Sequence, residues 1–124
     1  MGRMVGTRYH RAEDRVWQIS ADGVRYSLYS TQPDDPARPL TVLSEYPPNH
    51  REPPHAHDCN YTEMVLAGRL RVGKVELCEG DMRVMQAGVG YGPLVSGPEG
   101  CRLLTIFDRA DGSVQRPMGR QIAE

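Results

Sequence analysis

Short alternating runs of apolar and polar residues recur along the chain, and Gly, Pro, Asn or Asp cuts off each one. Residues 40–46, Leu-Thr-Val-Leu-Ser-Glu-Tyr, carry β-branched side chains and stop at Pro47-Pro48, which lack the N–H groups a ladder needs. Residues 62–65, 69–72, 75–78, 82–85 and 101–107 show the same signature. Residues 16–19 and 24–29 are weaker candidates, joined by the hairpin signal Asp22-Gly23. Turns are expected at Ala67-Gly68, Gly73-Lys74 and Glu79-Gly80-Asp81, and across residues 96–100. Residues 32–39 hold three prolines and two aspartates and read as a loop. No apolar set recurs at helical spacing over a helix-length window. Short strands divided by turn signals predict an all-β sandwich or barrel.

At 124 residues the chain is expected to be a single domain, 1–124, with one hydrophobic core. Residues 1–15 read as a charged N-terminal arm. Residues 108–124, broken by Gly and Pro, read as a loosely held tail. A composition 39% hydrophobic and 25% charged fits a folded, soluble chain. The net charge of −1 gives no electrostatic reason to expect nucleic acid or an anionic membrane. No apolar run approaches a bilayer span. The N-terminus shows no secretory signal, so a cytoplasmic location is expected. Cys59, Cys78 and Cys101 are odd in number and form no CxxC, so reduced thiols are expected. The glycines of residues 86–93 have no phosphate-loop Lys; they are expected to let the backbone turn beside a cavity.

The chemistry gathers in residues 53–68. His55 and His57 lie two apart, so in a strand both imidazoles point to one face. Pro53-Pro54 disfavours helix just before them. Continued alternation puts His57, Cys59, Tyr61, Glu63 and Val65 on that face, provided that no bend at residues 58–60 breaks the parity. Two imidazoles and one carboxylate on a concave face can serve a divalent metal.

These residues also resemble a family. HxH, a short gap, an acidic residue and then Val65-Leu66-Ala67-Gly68 resemble the first motif of the cupin superfamily. Gly80-Asp81 followed by Ala87-Gly88 and Gly92-Pro93 resembles the second. The resemblance covers residues 40–107 and implies a double-stranded β-helix, or jelly-roll barrel. It also implies a homodimer, in which the N-terminal arm would cover an edge strand of the partner. Two positions depart from the pattern. Cupins carry the first-motif Glu seven positions before the glycine, where this chain has Tyr61. The second-motif His should follow Ala87-Gly88-Val89-Gly90, where this chain has Tyr91. Glu63 is then a displaced substitute, two residues further along the same face.

Two functions compete. In the first, His55, His57 and Glu63 bind a divalent metal (Fe, Zn, Ni or Mn). Tyr61 and Tyr91 are catalytic or substrate-facing hydroxyls of a dioxygenase, isomerase, cyclase or lyase. In the second, the barrel binds or senses a small molecule without metal, and His57 serves as a hydrogen-bonding group or base. Phenols at two ligand positions favour the second, because a neutral phenol is a poor metal ligand at neutral pH. Residues 92–94 and 96–100 are expected to form the rim. Cys59 is expected to be buried and inert, and His50 to be a solvated loop residue. Arg69, Arg71 and Arg83 are expected on solvated strand faces, and Trp17 as a core or interface anchor.

Overall fold

The computed structural model describes residues 6–118, so the ends of the expected arm and tail, residues 1–5 and 119–124, lie outside it. Its strands, in chain order, are β1 (Gln18–Ile19), β2 (Arg25–Ser30), β3 (Leu40–Tyr46), β4 (Arg51–Glu52) and β5 (His55–Ala56). They continue with β6 (Tyr61–Val72), β7 (Val75–Leu77), β8 (Met82–Met85), β9 (Leu94–Phe107) and β10 (Arg116–Pro117). Single 3-10 turns at Ala12–Asp14 and Ala110–Gly112 are the helical elements among the described residues. The chain is all-β, as the alternation predicts.

One sheet runs β1-β2-β3-β9-β6-β7, with β4 added against β9 and β8 against β6; β5 and β10 form a separate ribbon. Every strand pair is antiparallel. The backbone of the barrel is the β6–β9 pair, which runs from Tyr61 opposite Phe107 to Val72 opposite Leu94. Alternate residues of these strands face inward: Tyr61, Glu63 and Val65 on β6, and Leu103, Thr105 and Phe107 on β9. Of these, Tyr61, Val65, Leu103 and Phe107 pack with Leu70, Val72, Tyr91 and Leu94 into one core.

Two expected turns are corners inside continuous strands. The β6–β9 register shifts between Val65 and Ala67 and again between Gly68 and Leu70, yet neither strand stops. Gly68 at φ +75° and Gly100 at φ +79° absorb the bends. They are also where backbones meet. A Cβ on Gly68 would strike the Gly100 carbonyl, and one on Gly100 would strike that of Tyr46.

The tail differs from expectation as far as Met118. β10 pairs with β5, Pro117 opposite His55 and Arg116 opposite Ala56. Met118 N–H donates to the Pro54 carbonyl at 2.9 Å, and Arg116 bonds Asp58 at 3.0 Å. The two-residue β5 needs a ladder partner on its open edge, and the tail supplies one. Trp17 is half-buried, capped by the Arg25 guanidinium 4.4 Å from its ring centroid and by Arg15 at 5.6 Å.

Gly68→Ala should destabilise the fold by about 3 kcal/mol, combining the left-handed backbone penalty with a backbone clash. Gly80→Ala, at φ +91° with open space around the added methyl, should cost only about 1 kcal/mol. Urea unfolding of the two variants measures the difference.

Candidate functional site

The two-histidine segment is held by backbone on both sides. His55 exchanges two hydrogen bonds with Tyr91, N to O at 3.0 Å in each direction. Gly88 N–H donates to the His57 carbonyl at 2.8 Å. Both imidazoles are buried and face inward, with ring centroids 5.2 Å apart. His55 Nδ1 lies 2.9 Å from the Pro53 carbonyl, which can only accept, so Nδ1 carries the proton. His55 Nε2 is therefore an acceptor, and the Tyr91 hydroxyl donates to it at 2.7 Å.

Glu63 faces inward, as alternation from His57 predicts, but both of its oxygens are engaged. Arg83 donates to Oε1 from Nη2 at 2.9 Å and from Nε at 3.2 Å. Thr105 donates to Oε2 at 2.9 Å. The Arg83 guanidinium also lies 4.1 Å from the Tyr91 ring centroid and 5.6 Å from that of Tyr61.

Above these groups opens a cavity of about 580 Å³, within the range of small-molecule sites. Its apolar wall includes Leu28, Leu40, Val42, Leu94 and Phe107; its polar wall includes His55, His57, Glu63, Tyr91 and Thr105. Ser113, Val114 and Gln115 from the tail close one side. Tyr61 and Arg83 sit behind the lining. Among the described residues, three buried atoms in this cluster have no hydrogen-bond partner: His57 Nδ1, the Tyr61 hydroxyl and Arg83 Nη1.

No family profile matches the chain, and no curated protein does. Solved structures do match. The polyketide cyclase RemF from Streptomyces resistomycificus aligns over 94% of this chain and 88% of its own, with TM-score 0.74 and 23% identity. An RmlC-like cupin from Shewanella frigidimarina aligns over 85% of this chain and 93% of its own, with TM-score 0.72 and 19% identity. A chain from the Rhodobacter sphaeroides complex of SigE with the anti-sigma ChrR matches with TM-score 0.66 and 22% identity. That match covers 79% of this chain and 52% of the other, so this chain spans about half the length of that relative.

The fold is that of the cupin superfamily. The four positions at which the cupin resemblance places metal ligands are His55, His57, Tyr61 and Tyr91. Burial lowers the proton affinity of both imidazoles, that of His57 to about 4, with the neighbouring His55 adding to the effect. Burial raises the Tyr91 phenol to about 12 and pushes Tyr61 up as well. Burial opposes the Arg83 charge, but the Glu63 carboxylate outweighs it and keeps the guanidinium protonated. The centre is thus two neutral imidazoles and two neutral phenols over an internally balanced ion pair. His55 Nε2, the imidazole atom facing the centre, already accepts a hydrogen bond from the Tyr91 hydroxyl. These donors do not fit a resident divalent ion, because both oxygens of Glu63 are engaged and the Arg83 cation stands behind the phenols.

Other residues lie where their sequence context gave no hint. Arg83 was expected on a solvated face; its side chain is only 10% exposed, because Glu63 stands directly opposite it in the β6–β8 register. That cross-strand pairing is the signal that could have found it. His50, expected in solvent, is 8% exposed at the side chain and contacts Glu52 and Asp22. These three place one ligand atom each within 4.8 Å of one another, a group that can hold a metal ion. Cys59 is buried against Gly112, as expected of an inert thiol, and burial raises its proton affinity. Arg69 and Arg71 are exposed.

Arg83→Met leaves the Glu63 charge buried and unpaired, so urea unfolding should show a loss of about 3–5 kcal/mol. The pH dependence follows from His57. The unfolded imidazole binds its proton near 6.5 and the folded one near 4, so the unfolded state holds more protons between these values. Stability is therefore full above pH 6.5 and falls as pH drops toward 4, by about 3 kcal/mol from this group. His57→Gln should flatten that part of the stability–pH curve.

Proposed function

We propose that the barrel binds a small, largely apolar organic molecule carrying a hydroxyl group, with no metal held at the His55–His57 pair. The observation that carries this reading is the closed His55–Tyr91 hydrogen bond beside His57, whose Nδ1 has no partner among the described residues. It leaves a neutral imidazole lining an apolar-walled cavity. A neutral ring nitrogen accepts a hydrogen bond, so the matching ligand donates one. Tyr91 keeps lone pairs that can accept a second.

His57 in this reading is a binding group more than a base, because a folded proton affinity near 4 makes it weakly basic at neutral pH. Tyr61 and the Glu63–Arg83 pair support the polar end from behind. Similarity in fold to a polyketide cyclase is in keeping with a small-molecule cavity.

Fluorescence titration with 2-naphthol and 2-methoxynaphthalene tests the idea, since they differ by the donor hydrogen. Wild type should prefer the naphthol by about five-fold, the worth of one net hydrogen bond. His57→Phe should abolish the preference, and Val42→Phe should weaken both probes by filling the cavity. Equal binding of the two probes by wild type would refute the reading, as would unchanged binding in Val42→Phe.

A further inference from the structure

Three donor side chains converge at the cavity mouth from different stretches of chain. Asp22 lies in the turn between β1 and β2, His50 in the connection from β3 to β4, and Glu52 in β4 itself. His50 Nε2 stands 2.5 Å from Glu52 Oε2 and 3.5 Å from Asp22 Oδ2. Two ligands at ordinary bond lengths on one transition ion sit roughly 3–4 Å apart, so a small opening of the His50–Glu52 contact would admit an ion.

Groups outside the trio aim these donors. Ser20 Oγ donates to the other oxygen of Asp22, and Gln115 Nε2 donates to Glu52 Oε1 at 3.0 Å. Each carboxylate thus has one oxygen fixed and one turned toward His50. The backbone of His50 is locked to β9, its N–H donating to Ser96 Oγ at 2.8 Å and its carbonyl accepting from Ser96 N–H at 2.9 Å. Outer partners of this kind orient ligands and tune affinity.

The local charge favours a cation, because the ion-pair partner of both carboxylates among the described residues is His50, which is charged only when protonated. Glu52 is 7% exposed and Glu63 is 8% exposed, yet only Glu63 has an arginine. Among the described residues no Lys or Arg pairs with Asp22 or Glu52. A carboxylate buried without a cationic partner is costly.

We propose that Asp22, His50 and Glu52 form a binding site for a divalent first-row transition ion, separate from the two-histidine centre. An imidazole with two carboxylates suits Zn²⁺, Mn²⁺, Fe²⁺ or Co²⁺ better than Ca²⁺ or Mg²⁺, which favour all-oxygen shells. Three protein ligands leave positions open toward the cavity, whose wall includes Asp22 and Glu52. An ion there would polarise the ligand's outer end while His57 holds its inner end.

The test is Co²⁺ titration of the untagged full chain, followed by visible absorption and calorimetry. Wild type should bind one equivalent with a ligand-field spectrum. Glu52→Gln and Asp22→Asn should lose that binding; Asp22, with a side chain 54% exposed, tolerates the change without harm to the fold. Ser20→Ala should weaken binding by about 10- to 100-fold, the usual effect of removing an outer partner. His57→Gln should bind Co²⁺ like wild type. Absence of saturable binding by wild type at millimolar Co²⁺ would overturn the proposal. So would binding lost in His57→Gln but kept in Asp22→Asn and Glu52→Gln. These readouts use the ion alone and do not depend on the naphthol result.

Discussion

The inner layer of the barrel is organised by a charge pair that water barely reaches. Glu63 and Arg83 face each other across two adjacent strands, each with a side chain 10% exposed. Neither charge could be buried singly. Paired, they fix each other and their surroundings. Thr105 takes the remaining carboxylate oxygen, and the guanidinium plane lies against Tyr91. Tyr91, set in that position, donates a hydrogen bond to His55. The arrangement uses up the Glu63 carboxylate and leaves His57 as the imidazole at the polar end whose Nδ1 has no partner among the described residues.

Much of the architecture was readable because strand periodicity is local. Residues 40–46 begin and end as predicted, and the inward set Tyr61, Glu63 and Val65 follows directly from alternation. The two glycine corners were harder. Ala67-Gly68 looks like a turn in any short window, and only the pairing of two long strands reveals a bend in a continuous ladder. The tail was harder still, since Arg116-Pro117 has no strand propensity. It pairs because β5 presents an open edge, which is a tertiary demand.

The site was legible in position and less so in partnership. His55 and His57 were found from their spacing, and Tyr61 and Tyr91 from their places in the cupin motifs. What each residue bonds to depends on elements distant in sequence. Arg83 lies twenty residues from Glu63, and His50 meets Asp22 across two strands. A histidine beside prolines in a loop looks solvated until β9 is seen to hold its backbone.

The ribbon of β5 and β10 ties the last described stretch of chain to the cavity. Residues 113–115 wall one side, Gln115 grips Glu52, and the next two residues clasp the strand that carries His55. A molecule lodged inside would therefore lie against residues 113–115, next to the clasp. If such a molecule bound the clasped state more tightly than the unclasped one, linkage would make the effect mutual, and occupancy would tighten the clasp to the same degree.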